Sequence, residues 1–154
     1  MMTLCCEVLK LLEGKTLATA ESCTGGGIGA AITAVPGASK VFVGGVISYT
    51  NEVKMRVLGV AHELLDRYGA VSLPVAEAMA FGARDVMKAD VAVSVTGLAG
   101  PGGDDFGNPV GSVCIGYADE HRQFAKQYRF YGNREEVREQ GIKAALELVL
   151  EVNG

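Results

Sequence analysis

Apolar residues recur at Leu4, Val8, Leu11 and Leu12, with Glu7, Lys10 and Glu13 between them, which predicts an amphipathic helix over residues 3–13. Gly14 follows where a helix C-cap is expected. Residues 15–21, KTLATAE, change to short alternating side chains and read as a weak strand. Glycines 25–27 then open a helix of small residues, IGAAITAV, which the Pro36-Gly37 turn stops. KVFVGGVISY, residues 40–49, is the most strand-like run of all, and Gly44 and Gly45 within it predict a bulge or a close backbone approach.

Two short helices are expected over residues 51–58 and 62–68, before the clearest helix of the chain, within VSLPVAEAMAFGARDVMKAD. Ser72 stands there as N-cap and Pro74 in the first turn. Val75, Ala76, Met79, Ala80, Ala83, Val86 and Met87 share one predicted core face, opposite Glu77, Arg84 and Lys88. Strands follow at 90–97 and 110–118, separated by the loop LAGPGGDDFGNP, and RQFAKQYRFYG reads as an antiparallel edge strand. Asn133 and Glu136 form a capping-box pattern ahead of a final helix over 134–151. This order predicts a single α/β domain over residues 1–154, a three-layer α/β/α sandwich with a mixed, mostly parallel sheet. Ligands in such folds bind beyond the carboxyl ends of the strands, which singles out the loops after residues 21 and 97.

A chain of 154 residues with a net charge of −4 and no basic run is a poor fit to a nucleic-acid partner. No apolar run reaches membrane-spanning length and the charged N-terminal segment is no secretory signal, so the expected location is the cytoplasm, with no membrane partner. Cys5, Cys6, Cys23 and Cys114 form no CxxC pair and read as free thiols; no metal and no cofactor are expected. Phe81, aromatic on a polar helix face, points to a homo-oligomer, a dimer in the first place.

AESCTGGG and TGLAGPGGDDFGNP both suit a phosphate or carboxylate held by backbone N–H groups, and both equally suit chain turning; neither has the ending of a P-loop. Ser22 lies between a strand and a helix start, where a nucleophile would find oxyanion donors, but a helix N-cap is the cheaper reading there. Cys23 reads as a core residue. His62 and His121 both fall in charged, solvated stretches, so a base would have to be a lysine, tyrosine or carboxylate. Tyr49 and Lys54, just past the end of the second strand, are the candidates, against an exposed helix lysine as the alternative. Arg134 and Arg138 fall on the inward arc of the last helix, and Arg134 could meet a phosphate, pair with a carboxylate or snorkel to the rim.

LATAESCTGGGIGAAITAVPGAS, FVGGVISYTNEVKMRVLGV, GAVS…VAEAMAFGAR, VSVTGLAGPGG and NPVGSVCIGYA together resemble, in this order, the C-terminal domain of the competence/damage-inducible CinA proteins, whose stand-alone members are nicotinamide mononucleotide deamidases. The likeness runs from about Leu4 to Leu150. The nucleotide-pyrophosphatase domain of full-length CinA proteins is not expected here. The resemblance implies hydrolysis of the carboxamide of nicotinamide mononucleotide (NMN) to nicotinate mononucleotide and ammonia, a step that recycles pyridine nucleotides. It implies a Ser–Lys amidase site with Ser22 as nucleophile, Lys54 as base and Tyr49 assisting. Thr24, Gly25 and Gly26 would supply N–H groups, and Asn51, Gly97, Ala99, Gly100 and Arg134 would hold the mononucleotide. A non-catalytic nucleotide-binding or regulatory domain, and an amidase for another small carboxamide, are the alternatives. Leu73, Pro74, Asp104 and Asp105 depart from the family's usual residues, and the two aspartates would repel a phosphate unless they point away or hold a cation.

Overall fold

In the computed structural model, which describes all of residues 1–154, strand β1 (Leu17–Glu21) is buried along its whole length and divides two cores. Leu17 belongs to the larger core, filled by α1 (Met2–Leu11), α2 (Gly27–Thr33) and α6 (Arg134–Asn153). Ala18 and Ala20 point the other way, into a second core under α5 (Leu73–Met87), with α3 (Asn51–Arg56) and α4 (His62–Tyr68) before it in the chain. The same alternation continues in β3 (Val91–Gly97): Val91, Val93 and Val95 enter the large core, while Ala92 enters the small one. Ser94 and Thr96, on the Ala92 side, donate their hydroxyls to the carbonyls of Ala76 and Ala70, so two buried polar groups are satisfied by the backbone.

Small residues on that side let α5 settle close against the sheet. In β4 (Ser112–Ala118), a Cβ on Gly116 would collide with the Ala76 carbonyl, and on α5 itself Gly82 lies against the Leu58 carbonyl. The sheet order is β2 (Phe42–Ile47), β1, β3, β4, β5 (Gln123–Arg129). β1 runs parallel to both β2 and β3, whereas β3–β4 and β4–β5 are antiparallel ladders. The sheet is therefore mixed, with four strands pointing one way and β4 reversed. The predicted irregularity in β2 is a register shift between Leu17 and Ala18, with Gly44 at φ 149° and Gly45 lying against Thr19.

Element ends agree with the pattern to within a few residues, and the capping box of Asn133 and Glu136 is complete. Two details differ. Val86, expected in the core face of α5, is exposed, whereas Met87 beside it packs on the second core and lies against Gly44 of β2. Ser72 caps α5 by position only, since its hydroxyl donates to the Gly69 carbonyl and accepts nothing from the helix. No helix is long and apolar enough to cross a membrane.

Candidate active site

Ser22 is the first residue beyond β1, and its N–H extends the ladder to the Val95 carbonyl at 3.0 Å. It does not cap α2: that place belongs to Gly26, in a left-handed conformation at φ 102°. The Ser22 hydroxyl is nearly buried and lies 2.9 Å from Lys54 Nζ. Lys54 reaches it because Thr50, whose Oγ1 accepts the Val53 N–H at 3.3 Å, starts α3 directly after β2 and turns the chain back under the strand end. The exposed-lysine alternative therefore falls, since Lys54 is 1% exposed.

The Lys54 ammonium has three donors and three neighbours: Ser22 Oγ, the Ser48 carbonyl at 2.8 Å and the Tyr49 carbonyl at 3.4 Å. No carboxylate pairs with it. Loss of hydration lowers its pKa from the usual 10.5 to about 8, which leaves a substantial neutral fraction near physiological pH. A neutral amine keeps two N–H groups for the two carbonyls and turns its lone pair to Ser22. In that state the serine hydroxyl becomes the donor, and the pair is set up for proton transfer.

The polar group that sequence reasoning missed is Glu21. Its side chain is 2% exposed and its carboxylate accepts from Thr24 Oγ1 at 2.6 Å, Ile28 N–H at 2.8 Å and Gly29 N–H at 3.0 Å. The start of α2 is thus already occupied by an internal anion. The one signal in the sequence was an acidic residue ending an otherwise apolar, small-residue strand directly before the glycine run. The Gly25 N–H is also engaged, by the Ser22 carbonyl at 3.1 Å, and the Thr24 hydroxyl is spent on Glu21. Arg138 braces the same turn, donating to the carbonyls of Cys23 at 3.0 Å and Thr24 at 3.2 Å.

Beside Ser22 opens a cleft of about 590 Å³ at the carboxyl ends of β1, β2 and β3. Tyr49, Asn51, Lys54, Gly97, Ala99, Gly100 and Arg134 all line it with Ser22; Thr24, Gly25 and Gly26 do not. Cys23 lines it too, a buried thiol whose pKa rises to about 11 through loss of hydration, so it is no thiolate. Its N–H donates to no protein oxygen, and neither do those of Ala99 and Gly100. Arg134 ties the rim together, giving one bond to the Gly100 carbonyl at 2.7 Å and another to the Tyr49 hydroxyl at 3.1 Å. The Tyr49 phenol thus faces Arg134, while its carbonyl faces Lys54. Arg134 pairs with no carboxylate.

The two aspartates of the loop separate in role. Asp104 folds inward, accepting from the N–H groups of Phe106 and Asn108 and from Asn108 Nδ2, and these bonds hold its carboxyl below the usual range. Asn108 in turn donates to the Val71 carbonyl, and Phe106 lies against Gly69, so the loop is pinned to the segment before α5. Asp105 lines the cleft with no hydrogen-bond or ion-pair partner. No three His, Cys, Asp or Glu side chains come together in a way that could hold a metal ion. His62 and His121 are exposed, each beside a neighbouring acid and away from the cleft.

Residues 3–153 match the family model of the CinA C-terminal domain. A CinA-like protein of Synechococcus sp. (strain CC9902) is 56% identical over 118 residues, covering 75% of this chain and 28% of the relative. One from Desulfotalea psychrophila is 46% identical over 137 residues, covering 89% and 33%. The chain therefore spans about a third of the length of such relatives. Among solved structures, the CinA superfamily protein of Klebsiella pneumoniae 700603 superposes with a TM-score of 0.96 at 32% identity, over 99% of this chain and 96% of that one. The competence/damage inducible protein CihA of Agrobacterium tumefaciens gives 0.94 at 38% identity, over 99% and 95%.

Proposed function

This chain belongs to the CinA C-terminal domain family, and from that membership and the cleft we propose that it is an amidohydrolase converting NMN to nicotinate mononucleotide and ammonia. The observation that carries the reading is the buried Lys54 amine 2.9 Å from the Ser22 hydroxyl, with no carboxylate to hold it charged. A lysine so placed is a base for the serine, in a chain that brings no histidine to the cleft.

Neutral Lys54 takes the Ser22 proton as Oγ adds to the carboxamide carbon. The oxyanion so formed meets the N–H of Cys23, the residue after the nucleophile, which donates to no protein oxygen. Lys54 then returns its proton to the leaving nitrogen, which departs as ammonia, and an acyl ester stays on Ser22. Water, deprotonated by Lys54, adds to that ester, and nicotinate mononucleotide leaves as Lys54 returns the proton to the serine oxygen. The phosphate is assigned to Arg134 and the free N–H groups of Ala99 and Gly100, not to the start of α2, where Glu21 would repel it. The nicotinamide ring of NMN is a cation, so the unpaired Asp105 carboxylate on the cleft wall favours this substrate instead of opposing it.

Ammonia release from NMN by the purified chain, set beside Ser22→Ala and Lys54→Ala, tests the proposal. The expected result is turnover in the wild type and a fall of about a hundredfold or more in each variant. Turnover retained in both variants would remove the catalytic assignment, and an inactive wild type would remove the substrate.

A further inference from the structure

We propose that Glu21 is a positioning residue that holds the nucleophile and its base in register, acting through the backbone on both at once. The inference rests on the Ser–Lys reading of the site. It adds a residue that touches neither the carboxamide nor Lys54.

Two sets of bonds leave this residue in opposite directions. The side chain enters α2, where the carboxylate gathers Thr24 Oγ1 and the N–H groups of Ile28 and Gly29. That closes the turn from Ser22 to Gly26 into a fixed loop, with Arg138 holding the carbonyls of Cys23 and Thr24 from outside. The main chain serves the other side. The Glu21 carbonyl accepts the Ser48 N–H at 2.7 Å and the Ser48 hydroxyl at 3.3 Å, and the Ser48 carbonyl accepts Lys54 Nζ at 2.8 Å. Ser22 is joined to Glu21 by one peptide bond. Nucleophile and base therefore hang from the same residue, by a covalent link on one side and by hydrogen bonds through Ser48 on the other.

The chemistry of a carboxylate is what this position requires. Three donors converge on it, and an amide would turn an NH₂ group toward one of them, leaving a buried N–H unpaired. Ser48 is fully buried, so the link to Lys54 has no solvent to replace it. Burial accounts for the low Lys54 pKa without any contribution from Glu21. Loss of the carboxylate should accordingly move the Ser22 oxygen while the titration of Lys54 stays where it is.

The test uses Glu21→Gln, with Leu12→Ala as a variant destabilised in the core away from the cleft. Folding is checked by circular dichroism, and the rate at which a fluorophosphonate modifies Ser22 is followed by intact mass against pH. NMN turnover is measured in parallel. For folded Glu21→Gln the expected result is a fall of at least tenfold in the modification rate and in kcat. KM should stay within about twofold and the pH midpoint near that of the wild type. Leu12→Ala should be modified at the wild-type rate per folded molecule. Wild-type modification of folded Glu21→Gln would overturn the inference. If Glu21→Gln does not fold, Thr24→Val, which removes the 2.6 Å bond alone, should slow modification several-fold, and no slowing overturns the inference equally. A wild type whose Ser22 is not modified, or is modified equally fast in Lys54→Met, overturns the Ser–Lys reading itself, and the inference falls with it.

Discussion

At Lys54, burial and chemistry pull the same way. A protonated amine without a carboxylate partner costs stability in a dry site, and the deprotonated form is the one that can take a proton from Ser22. Folding lowers its pKa from 10.5 to about 8, so between those values the unfolded chain binds the extra proton and stability rises with pH. That window is worth about 3 kcal/mol. We expect the stability of the wild type, measured by urea unfolding against Lys54→Met, to gain on the variant by about this amount between pH 7 and pH 10.5. A gap that stays constant would show that Lys54 titrates alike in both states. The rate of NMN turnover should rise with pH to a midpoint near 8, the reverse of what an ammonium acting as acid would give. Ser22 and Lys54 were visible in the sequence as types and neighbours of strand ends. Their 2.9 Å approach was not, because nothing in local periodicity records how the turn after one strand meets the helix after the next.

Among the elements, α2 and the loop after β3 part ways, although their glycines give both the same reading in the sequence. Both begin with exposed-looking N–H groups, but in α2 an internal carboxylate consumes them, and only the loop leaves the N–H groups of Ala99 and Gly100 free beside a guanidinium. A sequence pattern shows where backbone donors cluster; it does not show that a strand residue folds back to take them. Arg134→Ala should therefore raise KM for NMN by about tenfold or more, the scale of one charge-assisted phosphate contact. KM for nicotinamide riboside, which lacks the phosphate, should change little; equal effects on both would place the phosphate elsewhere. The small-residue layer under α5 makes a separate claim. In Gly116→Ala the new Cβ meets a backbone carbonyl, which no rotamer change relieves, so α5 must lift from the sheet. The expected loss is about 3 kcal/mol in urea unfolding, and a loss under about 1 kcal/mol would mean that the layer is looser than these contacts imply.

For the molecule as a whole, the alternation of helix and strand was enough to foresee three layers and a cleft at the strand ends, since parallel strands with helical crossovers leave little choice. The antiparallel half was legible only in part: β5 announced itself by its polar, alternating face, whereas β4 is buried along its length and gives no sign of its direction. The consequence is a cleft whose walls come from distant parts of the chain: Ser22 after β1, the Tyr49–Lys54 segment after β2, the loop after β3 and Arg134 from α6. A ligand that bridges them should stabilise the whole fold, not one loop. With NMN at about a hundred times its Kd, binding contributes about 2.7 kcal/mol, which for a chain of this size raises Tm by roughly 5–10 °C. Ser22→Ala is the protein in which to measure it, because the substrate then persists through the scan. A shift of that size in Ser22→Ala, reduced in the double variant with Arg134→Ala, is the outcome expected of an amidase with the phosphate on Arg134. The same shift in a wild type that releases no ammonia would instead identify a binding domain, and no shift in either protein would exclude NMN as the ligand of this cleft.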